Sequence, residues 1–108
     1  MKSNNPLDDT QKKDEEFLVT VKFTHDKEIA SLNKEFRGKD IATDVLSFNM
    51  DEQQEDGSYY LGDIVVNLDQ AKRQASTYGN DLKQELAELV GHGLLHLLGV
   101  HHEEDDHA

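Results

Sequence analysis

The longest apolar pattern in the chain lies in DLKQELAELVGHGLLHLLG, residues 81–99. Its apolar residues recur every three or four positions, the spacing of one face of an α-helix; they are Leu82, Leu86, Leu89, Val90 and Leu97. The helix is expected to begin near Asn80 or Asp81 and to end at Gly99. Because this apolar face must be covered by other elements, we predict that the helix 82–98 is central to the fold.

Three shorter segments have the patterns of β-strands. In FLVTVKFT, residues 17–24, apolar residues alternate with mostly polar ones, which predicts a half-buried strand with Phe17, Val19, Val21 and Phe23 on one face. TDVLSFNM (43–50) and YYLGDIVVN (59–67) are rich in β-branched and aromatic residues. The turn pair Asp56 and Gly57 between them indicates an antiparallel hairpin with an acidic, solvated loop.

Two further helices are predicted from their end signals. HDKEIASLNKEFRGKD has Thr24 or His25 as its cap and Gly38 as its stop, so this helix should end near Arg37. LDQAKRQASTYG follows Asn67 as cap and ends at Gly79. Together these elements predict an α+β fold, in which a small mixed or antiparallel sheet of about three strands packs against helices.

Length and composition limit what this fold can do. The chain has 108 residues, 35% of them hydrophobic, which suits one small domain, here 17–108, preceded by a polar and flexible tail at 1–16. Its net charge of −12 disfavours indiscriminate binding to nucleic acid or anionic lipid. Cysteine is absent, so metal ligands must be imidazoles or carboxylates. No segment resembles a membrane span or a secretory signal, and we expect a cytoplasmic protein.

Five of the six histidines fall in GHGLLHLLGVHHEEDDHA, residues 91–108. His92 and His96 are four residues apart on the predicted helix, so both imidazoles leave the same face. Gly99 allows the chain to reverse, and His102 can then reach the same point. Such a pair of histidines alone is often structural, but the full spacing HxxxHxxGxxH predicts a three-histidine site for one divalent metal with an open position for water. Imidazole suits zinc, nickel, copper and iron, and we expect zinc.

The same spacing matches the zinc protease pattern HExxHxxGxxH except at one position, where Gly93 replaces the glutamate that acts as general base. The helix is thus zincin-like, but peptide hydrolysis lacks its proton acceptor. A glycine inside a helix costs about 1 kcal/mol relative to alanine. We therefore expect Gly93 to permit a close approach by another backbone or by a substrate.

Three motifs, LNKEFRGKDIATDVLSFN, LGDIVVN and HGLLHLLGVHH, occur in an order that resembles the YbeY family of metal-dependent bacterial endoribonucleases. The resemblance implies that His92, His96 and His102 are the metal ligands and that Arg37 is the other functional residue. It also implies single-stranded RNA or ribosomal RNA as substrate, a role in ribosomal RNA maturation and ribosome quality control, and the ribosome or its proteins as partners. Family members usually carry a further strand and helix before the matching part, which implies a sheet with one strand fewer here.

This chain also departs from the family at single positions. His101 stands where the family has an aspartate next to the last ligand, and we predict that it does not bind the metal because it is offset by one residue. Ala42 and Asn49 stand where the family has the two prolines that flank TDVLSF.

A metal held by three neutral histidines keeps its charge, which suits phosphodiester chemistry, and Arg37 would stabilise the negative charge of the transition state. Arg37 belongs to the one strongly basic stretch of the chain, with Lys27, Lys34 and Lys39, which suits local contact with RNA. Asp44 and Asp63 could orient a ligand imidazole or accept a proton, but turn or strand-end hydrogen bonding explains them equally well. Two alternatives stay open: a metal-binding or ribosome-associated protein without catalysis, favoured by the acidic net charge, and a metal hydrolase of another substrate.

Overall fold

A computed structural model describes residues 16–99 of the chain. Within that range the chain forms, in order, β1 (Phe17–Thr24), α1 (Asp26–Arg37), β2 (Val45–Gln53), β3 (Tyr59–Asn67), α2 (Leu68–Tyr78) and α3 (Leu82–Leu97). The predicted α+β class is confirmed, with three strands and three helices in the described part. The prediction of a flexible tail at 1–16 falls, apart from Glu16, outside the described residues.

The three strands form one mixed sheet in the order β1-β3-β2. β2 and β3 are the predicted antiparallel hairpin, and β1 runs parallel to β3. A parallel neighbour requires a crossover connection, and α1 lies in the segment that makes it. β3 is the central strand of the sheet. Six of its nine residues are buried, namely Leu61, Gly62, Ile64, Val65, Val66 and Asn67.

Alternation along β3 divides the core between the two faces of the sheet. Ile64 and Val66 belong to a cluster with Ala71 of α2 and with Leu89 and Leu97 of α3. Val65 points to the opposite face, where it packs with Ile29 of α1 and Leu46 of β2. The predicted central position of the third helix is confirmed, because α3 covers the larger of these two clusters.

The strand bounds and burial differ from the sequence prediction in two places. β1 has the predicted bounds, but its alternating face is largely exposed, with Phe17 60% and Phe23 48% accessible. As an edge strand, β1 lies beyond the area that α3 covers, and Val19 is the member of that face that packs on the core. β2 begins two residues later than predicted and runs on to Gln53, because the ladder resumes beyond an irregularity between Asn49 and Glu52.

Helix ends follow the sequence signals closely. Gly38 and Gly79 both have the left-handed conformation at the ends of α1 and α2. The Asn67 side chain accepts hydrogen bonds from the amides of Asp69 and Gln70 at the start of α2. His25 is the N-cap of α1 by position, although its side chain makes no capping bond. No helix among residues 16–99 is long and apolar enough to cross a membrane.

Candidate metal centre

α3 carries the first two predicted ligands. The helix begins at a capping box, in which the Asp81 side chain accepts from the Gln84 amide and the Gln84 side chain accepts from the Asp81 amide. Its buried residues, Glu85, Leu89, Gly93 and Leu97, recur every four positions. His92 and His96 each immediately precede one of the last two, so they lie one turn apart beside the buried ridge. His92 is exposed and His96 is half-buried.

Gly93, between the two histidines, lies directly on the sheet. A Cβ atom built on Gly93 would be 2.7 Å from Cγ2 of Ile64, a separation that real side chains do not adopt. The expected close approach is therefore present, but it comes from a buried side chain of β3, so the expectation of a backbone or a substrate was wrong. This contact brings the histidine-bearing turn of α3 close to the central strand.

Leu98 and Gly99 form a turn at the end of α3. The amide of Leu98 donates to the carbonyls of Leu94 and Leu95, and the amide of Gly99 donates to that of His96. Gly99 has φ +90°, a conformation that favours glycine. His102 and His101 lie outside the described residues, so their predicted roles stay predictions. Residues 16–99 by themselves contain no cluster of three or more histidine, aspartate or glutamate side chains that could hold a metal.

The spacing of His92 and His96, the two predicted ligands within the described residues, would suit a metal. Two imidazoles one helical turn apart are the usual spacing for a pair of nitrogen ligands on one helix, as in the HExxH pattern. Both side chains are at least partly accessible, which a metal from solution requires. These residues would supply two of the three ligands, and any third must come from outside residues 16–99.

Arg37, the last residue of α1, is held against β2. Its Nη2 donates to the carbonyl oxygen of Ser47 at 2.9 Å. Its guanidinium carbon lies 5.9 Å from the ring centre of Phe48, within the range of a cation–π contact. Of its predicted basic neighbours, Lys34 is exposed and lies 3.9 Å from Asp40. Arg37 is thus anchored to the strand next to α3 and is more than a charge at a helix end.

Two residues of β2 that the sequence analysis did not select join the strand to α3. The Ser47 hydroxyl donates to the carbonyl of Gly93 at 3.2 Å, and the Asn49 amide donates to the carbonyl of Leu97 at 3.0 Å. Ser47 therefore links Arg37 to the histidine helix, because its backbone binds the first and its side chain binds the second. In the sequence, Ser47 and Asn49 alternate with Leu46 and Phe48 along a predicted strand, which places both polar side chains on one face of the sheet.

The two aspartates considered as orienting or proton-accepting groups make hydrogen bonds within the fold. Asp63 belongs to the same face of β3 as Val65, opposite α3, and its carboxylate accepts from the Tyr60 hydroxyl, which raises the pKa of Tyr60. Asp44 is 3.5 Å from the Gln74 amide of α2, and its backbone carbonyl accepts from the Asn67 amide at 2.9 Å. Structural hydrogen bonding, one of the two interpretations left open, is the role seen for both aspartates.

Comparisons with known proteins identify the family. The sequence model described as Endoribonuclease YbeY matches residues 3–108. Proteins with that name from Oceanobacillus iheyensis, Desulforamulus reducens and Aquifex aeolicus are 46%, 50% and 49% identical to this chain over 82%, 81% and 80% of its length. The chain spans 64%, 61% and 57% of those proteins, about three fifths of their length.

A solved structure agrees with this result. The solution structure of TM1509 from Thermotoga maritima is similar to this fold with a TM-score of 0.52 and 39% sequence identity. The match covers 82% of this chain and 55% of the other. On the family match and the relatives together, the chain belongs to the YbeY endoribonuclease family.

Proposed function

We propose that this protein is a metal-dependent endoribonuclease that cuts single-stranded RNA during ribosomal RNA maturation, with His92, His96 and His102 holding one divalent metal, expected to be zinc. The observation that carries the proposal is the linkage from the histidine helix through Ser47 to Arg37. It joins two kinds of group that can promote phosphodiester cleavage, the proposed metal-ligand pair and a permanent cation. The activity named for the relatives supports the same reaction.

In this proposal each side chain has a defined task. The imidazoles of His92 and His96 would hold the metal, which would supply Lewis-acid chemistry to a phosphate oxygen and to an attacking water. The guanidinium of Arg37 donates to the phosphate oxygens as negative charge increases in the transition state. Its hydrogen bond to the Ser47 carbonyl and its contact with the Phe48 ring favour one position of the planar group, which reduces the reorganisation needed during the reaction. Ribosome quality control and contacts with ribosomal proteins are part of the same proposal.

The test is cleavage of a labelled single-stranded RNA and a matching duplex by the purified full chain, with added Zn²⁺ or Mn²⁺ and with a chelator. We expect the single strand to be cut and the chelator to abolish cutting. Cutting that persists in the chelator would exclude the metal mechanism. Metal binding without cutting under any condition would favour the non-catalytic alternative, and hydrolysis only of small phosphodiesters would favour a different substrate.

Arg37 can be tested against a control of equal charge on the same helix. Arg37→Ala should lower kcat about 100-fold or more, as does the loss of a transition-state donor, with little change in RNA affinity. Arg37→Gln should not restore it. Lys34→Ala also removes one positive charge from the basic stretch, and it should lower RNA affinity while changing kcat by less than about threefold, because its ammonium lies beside Asp40 and not beside the Ser47 carbonyl. If Arg37→Ala instead lowers RNA affinity and makes that affinity less dependent on salt, Arg37 only contacts the phosphate backbone of the RNA.

The ligand set is tested by elemental analysis of the purified variants. His92→Ala, His96→Ala and His102→Ala should each lose most of the bound metal. His101→Ala should keep it, because residue 101 is offset by one position from the third ligand. An empty site in His101→Ala and a full one in His102→Ala would reverse the assignment.

A further inference from the structure

Ser47 and Asn49 contact α3 at two points whose spacing matches in both elements. The two residues are separated by two positions on β2, about 6.7 Å along a strand. Their acceptors, the carbonyls of Gly93 and Leu97, are separated by four positions on α3, about 6 Å along a helix. Both hydrogen bonds can therefore form together, at 3.2 Å and 3.0 Å, when the strand and the helix are in one relative position. A shift of either element along the other would break both bonds.

The acceptor of Asn49 is a group that the helix itself does not satisfy. The last four carbonyls of an α-helix have no intrahelical donor in the next turn, and Leu97 is the last residue of α3. The Leu97 side chain also lies over β3, since a Cβ atom on Gly62, which pairs with Asn49, would be 3.0 Å from its Cδ2. The end of α3 is thus held at one place through both its side chain and its carbonyl.

These two bonds lie on either side of His96 and directly after His92 along α3. His96 lies between Gly93 and Leu97, and His92 immediately precedes Gly93. On the other side, the carbonyl of Ser47 accepts from Arg37 at 2.9 Å. We propose that Ser47 and Asn49 are positioning residues that set the place of the His92–His96 pair relative to Arg37. This inference rests on the proposed function and names two residues outside its metal ligands and its phosphate-binding group.

The experiment compares Ser47→Ala and Asn49→Ala with Ser76→Ala, which alters an exposed residue of α2. Ser47→Thr keeps a hydroxyl and is the rescue variant. Asn49→Asp keeps the size of the side chain but removes its donor, so it should behave like Asn49→Ala. All five variants and the wild-type full chain are measured by amide hydrogen exchange without metal, by titration with Co²⁺ alone, and by RNA cleavage.

We expect three effects of the donor-deficient variants. Amides at 96–99 in Asn49→Ala and Asn49→Asp should exchange about fivefold faster, since one hydrogen bond of ordinary net strength is lost. Co²⁺ affinity in Ser47→Ala and Asn49→Ala should fall about three- to tenfold, below the 10- to 100-fold typical when a direct partner of a ligand is removed. The kcat should fall about tenfold at unchanged KM, because the catalytic groups are misplaced while RNA contacts remain. Ser47→Thr should retain wild-type Co²⁺ affinity and kcat.

Two results would overturn the inference. The proposed function stands in the first and fails in the second. If wild type binds Co²⁺ and cuts RNA, and the donor-deficient variants match Ser76→Ala in exchange, affinity and kcat, Ser47 and Asn49 do not position the site. If wild type neither binds Co²⁺ nor cuts RNA, the proposed function fails. Faster exchange in the variants would then show a purely structural role for both bonds and overturn their role at the metal.

Discussion

Alanine substitution at the two glycines of α3 should change stability in opposite directions. Gly91 and Gly93 are both inside the helix, and an alanine gains about 1 kcal/mol of helix propensity over glycine at such a position. A Cβ atom at Gly91 meets no other atom within 4 Å, whereas at Gly93 it would be 2.7 Å, 3.1 Å and 3.2 Å from three carbons of Ile64. Gly91 is therefore the matched control for Gly93.

The expected loss of stability in Gly93→Ala depends on how firmly Ile64 is held. Ile64 is 0% exposed and belongs to the main core cluster. Overpacking such a position costs about 1–3 kcal/mol, because neither the strand nor the helix can move without disturbing other contacts. Subtracting the propensity gain of about 1 kcal/mol leaves Gly93→Ala about 0–2 kcal/mol less stable than wild type. Gly91→Ala should be about 1 kcal/mol more stable. The difference between the two variants, about 1–3 kcal/mol, isolates the contact with Ile64.

Urea unfolding followed by circular dichroism, in the presence of a chelator, measures this difference without a contribution from bound metal. A double-mutant cycle with Ile64→Ala provides the control: this change should cost less in the Gly93→Ala background than in wild type, because the new methyl group then occupies part of the cavity. Equal free energies of unfolding for Gly91→Ala and Gly93→Ala would refute the packing explanation of Gly93.

Three further predictions concern the caps and charges that hold the helices. Asp81→Ala should lower the free energy of unfolding by about 1 kcal/mol through loss of the capping box, while Asp81→Asn should change it by less than about 0.5 kcal/mol, both by urea unfolding. Asn67→Ala should cost about 3 kcal/mol, because this buried residue caps α2 and also donates to Asp26 and to a backbone carbonyl; a cost below about 1 kcal/mol would contradict this. The hydrogen bond from Arg73, followed by that from Asn67, holds the pKa of Asp26 below its ordinary 3.8. The resulting stabilisation is present above pH 3.8 and is lost as the pH falls through the lower folded-state pKa. Arg73→Ala should therefore make the free energy of unfolding less dependent on pH in that acid range. Lys72→Ala, which alters an exposed neighbour, should leave this dependence unchanged. Identical pH profiles for Arg73→Ala and wild type would count against the ion pair between Arg73 and Asp26.

Local signals in the sequence determined the elements and the spacing of the proposed ligand pair. Caps and stops such as Asn67, Gly38 and Gly79 act within a few residues of the chain, so α1, α2 and α3 could be placed nearly to the residue. The four-residue spacing of His92 and His96 has a fixed geometric meaning once the helix is known. The hairpin turn at Asp56 and Gly57 is local in the same way.

Tertiary structure decided everything that depends on which surfaces meet. The parallel pairing of β1 with β3 made β1 an edge strand and left its alternating face exposed, although the alternation itself predicted burial. Gly93 has no room for a side chain because Ile64 of β3, 29 residues earlier in the chain, packs against it. Asp63 is separated from the histidines because it belongs to the opposite face of the sheet. Ser47 and Asn49 are ordinary polar residues in the sequence. Their hydrogen bonds to α3 form only because β2 packs against that helix. No local sequence pattern contains that packing.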